Sequence, residues 1–185
     1  MPQIIEQYGR EGYSKLTGFS QFSYNAVQHL LDNNETIWKL LYYNDKDAWN
    51  KPNTSLNEKR SLIYGGEPDE TLYRVFISEK QPDAWVHEAC ILRVFPSGIV
   101  SDNRTINTAV ITFDIYSHYR IDTLSNYTTR VDVIVEELVS LFNGFNIGGL
   151  GRLYLNGVAT KQTGARESGQ IPYAGKRIVL ATKQN

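Results

Sequence analysis

Cysteine is nearly absent from this sequence, and the metal-binding motifs that cysteine and histidine build are absent with it. The 185-residue chain has one cysteine, Cys90, and three histidines. One cysteine excludes a disulfide within the chain, and no CxxC motif or Cys/His cluster offers the ligands of a structural zinc. A chain of this length can bury roughly 70% of the surface that it would expose unfolded. We therefore expect a hydrophobic core to stabilise it without a crosslink, as suits a reducing cytoplasm.

Long apolar runs and an excess of one charge are also missing. No stretch approaches the roughly 20 apolar residues that cross a bilayer, and residues 1–16 lack the apolar core of a signal peptide. Nineteen Lys and Arg side chains stand against twenty Asp and Glu side chains, which gives a net charge of −1. The sequence therefore predicts a soluble protein with no membrane partner and no specific nucleic-acid partner.

Three short stretches begin like enzyme motifs, and each fails at a required position. HEACI (87–91) has Ile91 where a zinc protease needs its second histidine. GGLGRL (148–153) lacks the third glycine of a dinucleotide-binding turn and follows a helical pattern rather than a strand. AGKR (174–177) has Arg177 where a phosphate-binding loop has Ser or Thr. We therefore expect no catalytic, cofactor or metal site, and no enzyme.

The sequence does contain clear periods, and they change along the chain. Residues 1–20 have none and are predicted to be an N-terminal arm, whereas residues 21–185 are predicted to be one domain. Two short N-terminal helices follow the arm, and Asn34 can cap the second of them. Residues 46–70 are rich in Asn, Asp, Lys, Pro and Gly. This loop is too long for an ordinary connection, which indicates a functional or mobile segment.

From residue 72 onward the period changes to that of strands. Ser125 is predicted to cap a long helix over 126–144, with Gly144 as its stop. In the third strand, Ile111 and Phe113 fall on a core face, while Thr112 and Asp114 fall on a face that we expect to be partly wet. The predicted strands are 72–78, 87–95, 108–121, 151–160 and 176–182, with a hairpin connection at 95–103 and a second extended loop at 161–175. The fold class is therefore α+β: a mainly antiparallel sheet of about five strands, one long helix packed across it, and two N-terminal helices.

The segment KLLYYNDKDAW (39–49) joins a dense apolar patch to a charged turn. We expect Trp38, Leu40 and Leu41 to belong to the core. Aromatic side chains beside a charged turn are also typical of anchors for a protein partner. The candidate assembly contacts here are Tyr43, Asp45, Asp47 and Trp49, with the alternative that Trp49 covers its own core.

The loop KQTGARESGQIPYAG (161–175) is the second candidate for assembly. It joins two strands that a turn of two to five residues could join, so its length points to a contact outside the subunit. Its charged and aromatic side chains, with those that begin the next strand, are the candidate contacts: Arg166, Glu167, Tyr173, Lys176 and Arg177.

In outline, the sequence resembles the small α+β neck proteins of tailed bacteriophages, especially the tail terminators, which cap the tail tube and join it to the head. The resemblance covers about residues 20–185. It rests on the order of the elements and on three segments: KLLYYNDKDAW, YTTRVDVIVEELVSLFNGFNIGGLGRLYLNG (127–157) and YAGKRIVLAT (173–182). The resemblance implies a structural virion protein that assembles in the host cytoplasm as a ring, expected to be a hexamer. It also implies contacts with tail tube protein, with head-tail connector or adaptor proteins and, in contractile tails, with sheath protein.

Other roles remain open at this point. The arm and the loop 46–70 are longer than the compact core of tail terminators requires, so another neck adaptor or a tail completion protein is an alternative. An alternative from a different class is a small-ligand or peptide-binding module.

Shortening the second loop tests its predicted role. Replacing residues 163–171 with an Asn-Gly turn is expected to leave a folded subunit, because a tight turn closes two antiparallel strands. The variant is expected to fail to cap tails in a complementation assay. Complementation of a deletion phage to wild-type titre would show that the loop is dispensable.

Overall fold

The computed structural model describes residues 19–67, 69–79, 88–101, 107–147, 151–162 and 173–183. The predicted arm therefore lies outside the described residues apart from Phe19 and Ser20. The helices are α1 (Phe22–Asn33), α2 (Thr36–Tyr42), α3 (Leu56–Ser61), α4 (Tyr119–Asp122) and α5 (Arg130–Phe142). The strands are β1 (Val75–Phe76), β2 (Cys90–Ser101), β3 (Asn107–His118), β4 (Arg152–Gln162) and β5 (Tyr173–Lys183). Short 3-10 turns lie at Ala48–Asn50 and Glu70–Leu72.

The five strands form one sheet in the order β1-β2-β3-β5-β4. Strands β2, β3, β5 and β4 pair antiparallel, and the two residues of β1 pair parallel to β2. The predicted α+β class with a mainly antiparallel, five-stranded sheet is thus confirmed. The antiparallel pairing of the second and third strands is confirmed as well.

The predicted hairpin connection at 95–103 is wrong. Phe95 to Ser101 continue β2, and the register against β3 shifts between Pro96 and Gly98. Ser97 is the unpaired residue of this β-bulge, and a bulge is one of the few places within a strand where a neighbouring proline is tolerated. The connection between β2 and β3 falls at 102–106, outside the described residues.

The long helix is shorter than predicted. Its N-cap is Thr129 rather than Ser125, and the Thr129 hydroxyl accepts from the Asp132 N–H at 3.1 Å. The chain before it is held in a turn, because the Asn126 side chain accepts from the Thr128 N–H at 3.2 Å. The predicted stop is confirmed: Gly144 follows the helix with φ +84°, a conformation that glycine adopts without strain. The two N-terminal helices are present, and the Asn34 side chain accepts from the Ile37 N–H at 2.8 Å.

Residues 46–70 contain regular structure that was not predicted. Ser55 and Glu58 form a capping box, in which each side chain bonds the other residue's backbone N–H, and this starts α3. The Glu35 carboxylate then accepts from Thr54 N–H at 2.6 Å and lies 2.7 Å from the Lys59 ammonium. The loop is therefore pinned to the end of α1 and the start of α2, and its length serves the subunit's own packing.

Most of β3 is buried on both faces, and on the face that was predicted to be partly wet only Thr108 and Val110 are half-buried. Ile111 and Phe113 pack into the main core beneath the helices, as predicted. On the opposite face Thr112 and Asp114 are also buried, and Asp114 is fully enclosed. Alternating polar residues indicated water on this face, but Asp114 is paired with Arg177 at 2.6 Å instead.

Several predicted strands differ from the observed ones at their ends. Only Val75 and Phe76 of the segment 72–78 pair with the sheet, and α4 replaces the last residues of the segment 108–121. The strands that flank the second loop are longer than predicted, because Lys161 pairs with Gly175 and Gln162 pairs with Ala174. What is left of that loop, 163–172, lies outside the described residues, and Arg166 and Glu167 lie there with it.

The predicted core position of Leu41 gives a direct test. Trp38, Leu40 and Leu41 are fully buried, whereas Trp49 is half-buried. Leu41→Ala is expected to lower the free energy of unfolding by roughly 2–5 kcal/mol, since it removes packed methyl groups from a closed core. Trp49→Ala is expected to change the melting temperature much less and to lower assembly. Both variants can be compared by chemical denaturation. If Trp49→Ala lowers the free energy of unfolding as much as Leu41→Ala does, Trp49 covers the core.

Candidate functional site

A buried arginine organises one end of the molecule. Arg130, the first residue of α5, is fully buried. Its guanidinium donates to four backbone carbonyls: Leu40 at 2.5 Å, Tyr43 at 2.8 Å, Asp45 at 3.0 Å and Ile121 at 3.1 Å. Burial lowers the pKa of the Arg130 guanidinium, but arginine remains protonated in proteins. One positive charge therefore ties α5, α4 and the end of α2 together.

Two turns lie side by side at this end, and we call them the double turn: residues 44–47 and residues 124–128. The Ser125 N–H donates to the Lys46 carbonyl at 3.0 Å, which joins them directly. The second turn closes on itself, since the Leu124 N–H donates to the Thr128 carbonyl at 2.9 Å. Arg130 holds the first turn through the Asp45 carbonyl. Both turns are consequently fixed through their backbones, and the exposed side chains among them include Asp47 and Tyr127.

Tyr127 stands at the tip of the second turn. Its φ is +64°, which is rare for a bulky residue, and 92% of its surface is exposed. Sequence reasoning missed Tyr127 as a contact because the long helix was predicted to cover 126–144 and so included it. The Asn-Tyr-Thr-Thr stretch before Arg130 is the signal that could have found it, because Asn126 and Thr129 both favour turns and caps over helix interiors.

The predicted contacts of the KLLYYNDKDAW segment fall partly on the double turn. Asp45 and Asp47 are exposed there, and Asp45 pairs with Lys51 at 3.2 Å. Tyr43 packs against the core, and its carbonyl accepts from Arg130. Trp49 lies beyond the turn, where its carbonyl accepts from the Lys39 ammonium at 3.4 Å. Asp45 and Asp47 therefore lie exposed on the double turn, whereas Tyr43 packs against the core and Trp49 is half-buried in the 3-10 turn that follows.

The predicted contacts on β5 are divided between the two faces of the sheet. Lys176 pairs with Asp132 of α5 on the helix side, and this pairing lowers the pKa of the Asp132 carboxyl. Arg177, the next residue, points to the opposite face. There it forms a two-point ion pair with Asp114, at 2.6 Å and 2.7 Å. Side chains that are adjacent in sequence thus serve two separate contacts within the subunit.

Tyr173 is enclosed rather than displayed. Only 6% of its surface is exposed, its ring meets that of His118 edge-on at 5.3 Å, and burial raises its pKa to about 12. Its role in assembly stays a prediction, and the side chain offers little surface for it. Arg166 and Glu167, the other loop candidates, lie outside the described residues.

A groove of about 320 Å³ opens beside the start of α5. The Asp132–Lys176 pair is part of its lining, and burial raises the pKa of Asp122, which also lines it. Its lining residues come from α4, α5 and the paired ends of β4 and β5: Asp122, Thr129, Val131, Asp132, Thr160, Lys161, Tyr173, Ala174, Gly175 and Lys176. Its volume is at the lower end of the range of small-molecule sites.

Two further properties concern the described part of the chain alone. Its residues include no group of three or more His, Cys, Asp or Glu side chains that could hold a metal ion. None of its helices is long and apolar enough to cross a membrane.

Comparison with known proteins assigns the chain to a family. Residues 34–179 match the model of the YomW family, and the chain belongs to that family. YomW is a gene product of the Bacillus phage SPBc2, so the family is phage-associated. The matched segment includes Arg130, the double turn and the groove. Neither the curated proteins nor the solved structures give a significant match to the chain.

Removing the Arg130 side chain tests its role. Arg130→Met keeps a long apolar stem but removes the guanidinium donor from the buried Leu40 and Ile121 carbonyls, and each unsatisfied buried acceptor costs about 1–3 kcal/mol. The partly buried Tyr43 carbonyl loses its bond to Arg130 as well. We expect a loss of several kcal/mol in the free energy of unfolding, measured by denaturant titration.

Arg120→Met is the matched control. Arg120 is exposed and pairs with Glu88 at 2.8 Å, also at the surface, so its replacement should change the free energy of unfolding far less, as is usual for exposed ion pairs. Equal losses in the two variants would show that the Arg130 contacts do not stabilise this end of the molecule.

Proposed function

We propose that this protein is a structural subunit of the neck of a tailed phage, which caps the tail tube as a ring and joins the tail to the head. Membership of a phage-associated family supports the phage context. The resemblance to tail terminators in the order of helices and strands supports the neck position. In this role the protein acts by holding neighbouring proteins rather than by catalysis.

The exposed tyrosine of the double turn is the observation that carries this proposal. A large aromatic ring that is almost wholly exposed gains little from the subunit's own core, so its contact area is left for a partner. Tyrosine is enriched among the residues that dominate protein interfaces. The hydrogen bonds of Asn126 and Leu124 fix the turn before any partner arrives, which lowers the entropic cost of binding.

Asp45 and Asp47 complete this surface with charge. They lie on the first turn, next to the tyrosine-bearing second turn, and both are exposed. Exposed charges beside an aromatic anchor steer a partner and set its orientation more than they add affinity. A neighbouring subunit or the tail tube protein with basic side chains around an apolar recess would fit such a surface.

The remaining features of the proposed role follow from the resemblance. The ring is expected to be a hexamer that contacts the tail tube on one side and head-tail connector or adaptor proteins on the other, with sheath protein as a further partner in a contractile tail. The protein would assemble in the host cytoplasm and reside in the virion. Another neck adaptor or a tail completion protein would use the same double turn.

The groove beside α5 favours a second candidate, a small-ligand or peptide-binding module. Its volume of about 320 Å³ would hold one side chain or a small ligand, and Lys161 and Lys176 line it. A binding module of this kind would depend on the groove and would tolerate loss of the exposed tyrosine.

Replacing Tyr127 distinguishes the two candidates. Tyr127→Asn removes the aromatic ring but keeps the turn, because asparagine adopts positive φ more readily than tyrosine. The variant is expected to melt within a few degrees of the wild type and to fail to complement a phage that lacks the gene. Electron microscopy should show tails of irregular length or unjoined heads.

Tyr24→Ala is the control, since Tyr24 is half exposed on α1 and belongs to neither turn. It should restore normal particles, and mass spectrometry of purified virions should detect the protein in both the wild-type and the Tyr24→Ala phage. Absence of the protein from virions would overturn the neck role. Full complementation by Tyr127→Asn would exclude the double turn as the contact.

A further inference from the structure

The outer edge of β4 makes no hydrogen bond to the described residues over half of its length. β4 is the last strand in the order β1-β2-β3-β5-β4, so among the described strands it pairs with β5 alone. At its start the Leu153 N–H donates to the Phe145 carbonyl at 2.9 Å, and the Leu155 N–H donates to the Asn143 side chain at 3.0 Å. From residue 156 to residue 162, no described residue bonds this edge.

The hydrogen-bond pattern identifies the free groups. Leu153 and Leu155 point their N–H groups away from β5, and the register shifts by one residue between Leu155 and Gly157. Beyond that bulge, the outward N–H and C=O groups therefore belong to Val158, Thr160 and Gln162. These residues face Ile178, Lys176 and Ala174 of β5, whose own bonding groups turn towards β3.

The side chains of this edge do little to prevent pairing. Leu155 and Val158 are 41% and 44% exposed, and the edge contains no proline. Edge strands are normally protected by charge, proline or a cover, because their unpaired backbone groups accept another strand. Between Arg152 and Lys161 this strand carries no charged residue.

We propose that the edge binds the same edge of a second copy, antiparallel, about a two-fold axis at Ala159. Ala159 is the midpoint of the free segment 156–162, so this register uses the whole segment. Val158 of each copy then faces Thr160 of the other and exchanges two backbone hydrogen bonds with it, which gives four at the centre. The two sheets join into a continuous sheet.

The side chains fit this register. No other register pairs the whole segment 156–162. Val158 opposite Thr160 is a pair of β-branched residues, which stabilises cross-strand contacts. Lys161 lies opposite Gly157, so the lysine stem has room and no like charge faces it. A two-fold contact of this kind cannot by itself generate a six-fold ring. The pairing is therefore separate from the neck role, and either can fail without the other.

A cysteine at the axis tests the register. Residues 159 of the two copies form a pair without hydrogen bonds, whose Cα atoms lie about 4.5 Å apart, within reach of a disulfide. Ala159→Cys is expected to give a disulfide-linked dimer under mild oxidation. The native Cys90 does not compete, since it is fully buried and burial raises its pKa to about 12.

Tyr24→Cys is the matched control, because its side chain is exposed but far along the chain from β4. It is expected to remain largely monomeric under the same oxidation. Equal crosslinking of the two variants, or no crosslinking at residue 159, would overturn the proposed pairing.

A second pair of variants tests the backbone hydrogen bonds. Thr160→Pro removes an outward donor from each copy and leaves the ladder with β5 intact, whereas Thr160→Val keeps the donor and the branched shape. In analytical ultracentrifugation at high protein concentration, the wild type and Thr160→Val should reach twice the chain mass, while Thr160→Pro stays at the chain mass. Ala159→Lys, which brings two ammonium groups together at the axis, should also abolish the dimer. A wild type that stays monomeric, or a Thr160→Pro variant that still doubles in mass, would refute the proposal.

Discussion

One buried guanidinium holds together the end of the molecule on which its proposed contacts lie. Arg130 donates to four carbonyls from two segments, residues 40–45 and Ile121, and Leu40 lies 90 residues away in sequence. A charge removed from water is tolerated only where it is well bonded, so the surrounding backbone must keep its position for Arg130 to stay buried. Arg130 thereby holds the backbone of the double turn in place, and the exposed side chains of the turn project from a fixed backbone.

A second buried charge, that of Asp114, joins neighbouring strands on the other face of the sheet. Asp114 is fully enclosed, and its pair with Arg177 joins β3 to β5. Arg93 of β2 lies 3.8 Å from the same carboxylate, so three neighbouring strands share one negative charge. Tyr116 packs over Gly175 nearby, where a Cβ would come within 2.7 Å of its ring. Charge pairing and a missing side chain together explain how a polar face is buried.

Periodicity was sufficient to predict the class of fold, because α1, α2, β3 and α5 have strong apolar patterns. It could not predict the partners of the buried charges, since Asp114 and Arg177 are 63 residues apart and pair only through the sheet. Arg130 had a readable signal: it lies four residues before Ile134 on the buried stripe of α5. The carbonyls that it binds have no such signal in the sequence, because every residue has a backbone carbonyl. The positive φ of Tyr127 was likewise hidden by an apparently helical spacing.

The position of β5 has a consequence for folding. β4 precedes β5 in the sequence, yet β5 lies inside the sheet and β4 lies at its edge. Strands β2 and β3 can pair locally, and so can β4 and β5, but the seam between β3 and β5 joins residues such as Val110 and Ala181. Closing so large a loop costs chain entropy before any contact forms. The pairing of β3 with β5, which α5 also contacts, therefore contributes most to the contact order of the fold. Since folding slows as contact order rises, we expect this pairing to limit the folding rate.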